Sequence, residues 1–289
     1  MALTVEQGFD KFFANLVPLA SQREAAYRHR KSVESSLSPL GVSLFRETGS
    51  SFNHGTGVRG HCDVDLLVSL KSVRPGSSDT ALERLKTRLS ISFPYTRVRV
   101  SRPAVVVEFA SGSESWELIP AFLNKKSPEG HPVYWIPGSP SGWIESAPTA
   151  HLAYVNEVNA QAKISGGAKR LARLAKAWKY FNAVPISSFY LEMRAAKYLS
   201  AEPNFIPVWD ICRFLEHLDD IQLSSMNDPK GLAGRFSACS SDAKAQEARS
   251  KVTTASVRAR KALDAYQKSD VNSAFYYLDL LFGNRFPSR

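Results

Sequence analysis

The sequence predicts an α+β protein in two parts, a mixed sheet with flanking helices followed by an α-helical lobe. Three observations predict it. Short β-type runs cluster between Val42 and Asn124, the Pro-, Gly- and aromatic-rich segment HPVYWIPGSPSGW follows at 131–143, and from there onward apolar residues recur at helical spacing. The division falls at residues 1–145 and 146–289.

In chain order, VEQGFDKFFANLV sets Val5, Phe9, Phe12, Phe13 and Leu16 on one helical face, and Pro18 ends that helix. A second helix is expected over SQREAAYRHRKSVESSL, stopping before Pro39. VSLFRE, CDVDLLVSL, TRVRVS, AVVVEFA and WELIPAFL read as strands, interrupted by one helix over SSDTALERLKTRLSISF with a Ser or Asp cap. HPVYWIPGSPSGW is expected to be a loop. Helices are then expected in TAHLAYVNEVNAQAK, GAKRLARLAKAWKYFN, SSFYLEMRAAKYLS, VWDICRFLEHLDDIQ and from about Asp242 to Gln267. Between the last two, SSMNDPKGLAGRFSACSSDAKAQ is rich in Ser, Gly and Ala and reads as a mobile connection.

Composition narrows the function classes. The 289 residues are 44% hydrophobic, enough for a sizeable core and against disorder. Lys plus Arg number 37 against 27 acids, a net charge of +10 that favours polyanionic partners. Cys62, Cys212 and Cys239 have no CxxC spacing, which argues against a disulfide scaffold or zinc ribbon and fits a reducing cytoplasm. The N-terminal segment carries acids where a signal peptide is apolar, and no long uncharged apolar stretch occurs, so neither secretion nor membrane insertion is expected.

The chemistry concentrates in GSSFNHGTGVRGHCDVDLLVSL, residues 49–70. Residues two apart in a strand share a face, so Asp63 and Asp65 present two carboxylates side by side at the mouth of the buried run Leu66, Leu67, Val68. A hard divalent cation such as Mg²⁺ relieves that repulsion, and two such ions ~3.5–4 Å apart support in-line phosphoryl displacement. A third carboxylate is wanted from a neighbouring strand. Glu108 and Glu117 are the candidates, and the strand-end context WELIPAF favours Glu117. Ser50, Ser51, Gly55 and Thr56 are small enough for their backbone N–H groups to approach a triphosphate, most readily at the N-terminus of a short helix. No GxxxxGK[ST] motif is present, so phosphate is not held in the Walker manner.

SSFNHGTGVRGHCDVDLL followed by WELIPAF resembles the polymerase-β-like nucleotidyltransferases. LARLAKAWKYFNAVPISSFYLEMRAA is similar to the helical lobe of the bacterial CD-NTases, relatives of cyclic GMP–AMP synthase and oligoadenylate synthase, and FGNRFP is similar to the tail of several of them. The resemblance spans Phe45 to Pro287. It implies a polymerase-β-like nucleotidyltransferase core plus an α-helical C-terminal lobe. The implied activity joins nucleoside triphosphates (ATP, GTP or others) into a cyclic di- or trinucleotide in bacterial anti-phage signalling, with two Mg²⁺ or Mn²⁺ ions. A regulatory protein or nucleic acid is a further candidate partner.

Residue by residue, the resemblance makes Asp63, Asp65 and Glu117 catalytic metal ligands and Ser51 a phosphate contact. It likewise makes Lys176 the lysine that grips the triphosphate, Ser188 a second phosphate contact and Phe189 the aromatic that stacks on a base. Two positions depart from the pattern: Ser50 stands where the family has Gly, and the third acid is Glu rather than Asp. The zinc insertion of cyclic GMP–AMP synthase has no counterpart among the three scattered cysteines.

Overall fold

The computed structural model describes residues 3–48, 54–61, 63–109 and 114–289. Helix α1 (Val5–Leu16) is nucleated by a capping box, in which the Thr4 side chain accepts from Gln7 N and Gln7 Oε1 accepts from Thr4 N. Helix α2 (Ala20–Leu37) follows. The sheet strands are β1 (Val42–Glu47), β2 (Val64–Leu70), β3 (Arg97–Ser101), β4 (Ala104–Phe109), β5 (Glu114–Lys126), β6 (Pro132–Pro137) and β7 (Trp143–Ser146). Helix α3 (Ser78–Ser92), capped by Ser77, crosses between β2 and β3.

Strand order is β1-β2-β5-β4-β3, with β6 and β7 added along the second half of β5. Only the central β2–β5 pair is parallel among the described strands, and the chain reaches it through α3, β3 and β4. One face of this sheet is apolar. Val64, Leu66 and Val68 of β2, Val105 and Val107 of β4, and Trp116 and Leu118 of β5 pack on Val33 and Leu37 of α2 and on Leu82, Leu85 and Leu89 of α3. Alternation therefore turns Asp65 and Glu117 to the opposite face.

The remaining helices are α4 (Pro148–Ala160), α5 (Gly167–Phe181), α6 (Ser188–Ala201), α7 (Pro207–Asp220), α8 (Asp242–Gln267) and α9 (Val271–Leu281), with a short hairpin β8 (Met226–Asn227) and β9 (Arg235–Phe236) before α8. Their apolar faces form one large core that also takes in Val5, Phe9, Phe12, Phe13 and Leu16 of α1. Each such phenylalanine contributes on the order of 2–3 kcal/mol by burial. Among the described residues no helix is long and apolar enough to cross a membrane.

Four expectations change. HPVYWIPGSPSGW is not a loop but the hairpin β6–β7, paired from Tyr134↔Ser146 to Pro137↔Trp143, because its prolines sit at strand ends where no ladder donor is needed. The connection at 224–246 is tied down: Asp228 is buried, meets His151 Nε2 at 3.1 Å and accepts from the backbone N–H groups of Lys230, Leu232 and Ala233. Within 54–61 the chain makes turns and a Val58↔His61 bridge rather than a helix. Finally, β7 ends at Ser146 and α4 begins at Pro148, yet α1 packs with the helical lobe rather than with the sheet it precedes.

Candidate active site

Asp65 and Glu117 are direct partners in the parallel β2–β5 ladder, and Asp63 precedes Asp65 by two residues on the same side. Burial pushes all three carboxyls up. Asp65 rises well above the usual range, with Glu117 and Asp63 adding repulsion, and Asp63 likewise adds to the rise at Glu117. At Asp63 the charge of Lys179 and a hydrogen bond donated by Ser115 work against the rise from burial. Glu108 plays a different part: it sits on β4 with Arg99 Nε at 3.0 Å and Arg97 at 3.5 Å. The structure thus brings Glu117, and not Glu108, to the aspartates.

Helix α5 faces this acidic cluster. Leu171, Leu174 and Trp178 are buried in the lobe core. Lys169, Arg173 and Lys176 form the other stripe, and one turn further Lys179 continues it. Burial and the charge of Lys176 push the Lys179 ammonium down to about 8, against the pull of Asp63, Glu117 and Asp65. Lys179 Nζ donates to Ser188 Oγ at 2.6 Å, and Tyr180 Oη lies 3.1 Å from the same oxygen. The His61 ring stacks on Tyr180 at 4.6 Å between centroids. Arg170, on the far side of α5, lies 4.2 Å from the Phe13 ring and 3.3 Å from Asp10.

The segment before the aspartates is held by the same helices. Gly55 has φ +68°, a left-handed conformation that suits glycine. Arg173 donates to the carbonyl oxygens of Gly55 and Gly57. Thr56 is fully buried, donates to Glu192 Oε2 at 2.8 Å and accepts from Lys176 Nζ at 3.2 Å. His54 Nδ1 is hydrogen-bonded to the other Glu192 oxygen. Ser50 and Ser51 lie outside the described residues, as does Cys62.

Of the residues singled out in the sequence, Asp63, Asp65, Glu117, Lys176, Gly55, Thr56 and Ser188 therefore converge on one region. Lys176 is fully buried behind Thr56. Phe189 is half-buried, its ring 5.0 Å from His151 and 4.9 Å from Phe236. Sequence reasoning missed Lys179, Glu192 and His54. The signal for Glu192 was present in FYLEM, a carboxylate set in an apolar helical stretch; nothing comparable marked His54.

The donor set fits a hard divalent cation, since three desolvated carboxylates need a positive partner and carboxylate oxygen is the ligand such ions take. Among the described residues no three His, Cys, Asp or Glu side chains already converge to hold an ion, so the carboxylates would draw together around one.

Comparison with known proteins identifies the family and the fold. The profile of the Second Messenger Oligonucleotide or Dinucleotide Synthetase domain matches residues 3–159. A "probable cyclic nucleotide synthase" of Bacillus cereus is 25% identical, with 81% of this chain and 83% of that protein covered. Escherichia coli CdnC, solved with ATP, superposes with a TM-score of 0.74 at 19% identity over 99% of both chains. Vibrio cholerae DncV, a cyclic AMP-GMP synthase solved with a linear intermediate, superposes with a TM-score of 0.76 at 12% identity, over 100% of this chain and 97% of its own. The match covers more than half of the chain and takes in the strands that carry Asp65 and Glu117, so this chain belongs to the second messenger oligonucleotide or dinucleotide synthetase family of nucleotidyltransferases.

Proposed function

We propose that this protein joins nucleoside triphosphates into a cyclic di- or trinucleotide. A ribose hydroxyl of one nucleotide attacks the α-phosphorus of another. The new P–O bond forms as the bond to the β-phosphate oxygen breaks, pyrophosphate leaves with its electron pair, and the hydroxyl proton passes to a base. One further such step closes a dinucleotide ring and two further steps close a trinucleotide ring, each releasing pyrophosphate. The observation that carries this reading is the register of Asp65 with Glu117 beside Asp63, opposed by Lys179.

Asp63, Asp65 and Glu117 would hold the divalent cations, Mg²⁺ or Mn²⁺, two in number, which supply charge neutralisation at the phosphates and activation of the hydroxyl. The rest falls to the chain itself. Glu117, paired with Asp65 across the ladder, is placed to accept the hydroxyl proton. The Gly55–Thr56 backbone, Lys179 and Ser188 hold the phosphates, and Lys176 backs Thr56. Ser50 and Ser51 extend the phosphate contact, and Phe189 offers an aromatic face to a base. Solved relatives with ATP or GTP support triphosphates as substrates. A solved complex of CdnC with HORMA-deltaN supports a protein as a further partner. The product would serve as a second messenger in anti-phage signalling in the cytoplasm.

Incubation of the protein with labelled nucleoside triphosphates and Mg²⁺ or Mn²⁺, followed by phosphatase treatment and mass spectrometry, tests this reading. A phosphatase-resistant cyclic product is expected. Label on an RNA, protein or small-molecule acceptor would make it a transferase of another kind, and binding without turnover would make it a nucleotide sensor.

A further inference from the structure

Glu192 is a charged side chain inside the helical lobe, only 1% exposed, and the functional reading above gives it no task. A buried carboxylate is costly unless both oxygens are satisfied. Here they are, and by residues from far away in the chain. His54 occupies one oxygen and Thr56 the other, while Lys176 donates to Thr56 from the neighbouring helix. His54, Thr56 and Lys176 are themselves 3%, 0% and 0% exposed. Burial alone would push the Glu192 carboxyl up; the hydrogen bond and charge of His54, the charge of Lys176 and the Thr56 hydroxyl together hold it below the usual range instead.

The rest of the segment follows the same allegiance. Val58 is buried in the core of the helical lobe. Arg59 N donates to Leu16 O at 2.7 Å, and Arg59 side-chain nitrogens donate to Ala14 and Val17 carbonyls, all on or beside α1. Arg173 of α5 takes the carbonyls of Gly55 and Gly57. The 54–59 segment is thus fastened to the helical lobe, although three residues beyond His61 the chain enters β2, one of the central pair of strands.

We propose that Glu192 is a positioning residue for the nucleotide's phosphates: with His54 it clasps Thr56 and Lys176, so the phosphate-holding backbone belongs mechanically to the helical lobe while the carboxylates belong to the sheet. A triphosphate bound between them bridges the two lobes. The inference rests on the functional reading above, because it requires that this backbone meet phosphate.

Glu192→Gln keeps the size of the side chain and removes its charge. ATP with Mg²⁺ is the probe, and four quantities are read: the ATP Kd by calorimetry, KM and kcat for product formation, hydrogen exchange across residues 54–61, and the melting temperature. The expected result is an ATP Kd and KM raised about tenfold, the factor lost with a charge-assisted hydrogen bond. Hydrogen exchange over 54–61 should be faster, with kcat changed by less than about threefold. Thr56→Val should repeat this pattern and Thr56→Ser should restore it, which keeps the proposal testable if Glu192→Gln folds poorly. A kcat that falls at unchanged KM alongside a lower melting temperature would mean fewer folded molecules and would overturn the positioning role. So would variants that bind ATP as the wild type does. A wild-type protein that binds no nucleoside triphosphate at all would overturn both the positioning role and the functional reading, and is told apart because the failure then precedes any substitution.

Discussion

Asp65 and Glu117 stand opposite each other across the parallel β2–β5 ladder, two acids in adjacent strands with Asp63 beside them. An acid whose folded pKa is raised gives stability that is complete below its unfolded value, near 4, and lost as pH climbs through the raised value. At neutral pH the cluster is therefore a cost to the fold. Asp65→Asn should abolish product formation and raise the melting temperature by a few degrees. Mg²⁺ should raise the melting temperature of the wild type and leave that of Asp65→Asn nearly unmoved, since binding stabilises only the form that holds the ion. Thermal melts with and without Mg²⁺ check both statements; equal Mg²⁺ shifts in the two proteins would remove Asp65 from the metal site.

Glu117→Gln should reduce turnover to background, whereas Glu108→Gln should retain it within about threefold. The second substitution breaks only half-exposed pairs with Arg97 and Arg99, worth about 0–1 kcal/mol. Initial rates of pyrophosphate release decide it. A reversed order would transfer the third carboxylate to β4.

Lys179→Ala should raise the KM for nucleoside triphosphates about tenfold or more, because its ammonium faces all three carboxylates and reaches Ser188. Arg170→Ala should leave KM unchanged, since Arg170 turns to Phe13 and Asp10 on the other side of α5. Similar losses at Lys169, Arg170, Arg173 and Lys179 in nucleic-acid affinity, with nucleotide KM constant, would instead mark α5 as a nucleic-acid surface.

Asp228 offers a pH test away from the site. Burial would push its carboxyl up, but the hydrogen bond and charge of His151 and the backbone N–H groups of Ala233 and Lys230 bring it down to about 2. A depressed acid contributes stability that is present above its unfolded value near 4 and lost as pH falls toward 2. Asp228→Asn should lower stability by about 1–3 kcal/mol at pH 7, the cost of leaving buried partners unsatisfied, and flatten the acid limb between pH 4 and 2. Denaturant melts across that range read the difference; parallel wild-type and Asp228→Asn profiles would show that the depressed pKa contributes nothing.

The strands and helices were legible because Leu66, Leu67, Val68 and Val105, Val106, Val107 form short continuous aliphatic runs while Phe9, Phe12 and Phe13 recur at helical spacing. The acidic set was legible because period two fixes which face Asp63 and Asp65 share. Pairing was not. That Glu117 lies beside Asp65 depends on a parallel contact made after α3, β3 and β4 have intervened, and no local pattern encodes it. Lys179 and Lys176 are both cations on a basic helix, and only the packing of Trp178 and the clasp at Thr56 separate their surroundings. His54 was invisible because its partner, Glu192, is 138 residues away.

The aromatic seam between α1 and the C-terminal segment has a consequence for synthesis. Phe9 and Phe12 meet Phe282 and Phe286 with ring centroids 4.6–5.1 Å apart, and Arg59 is fastened to the end of α1. During synthesis α1 lacks these aromatic partners until residues 282–286 are made, long after the sheet can form. The nascent chain would thus carry its carboxylates early and seat the α1 end that fastens Arg59 last. A chain stopped before Val271 should show a folded sheet by hydrogen exchange, with faster exchange at Arg59 than in the full chain.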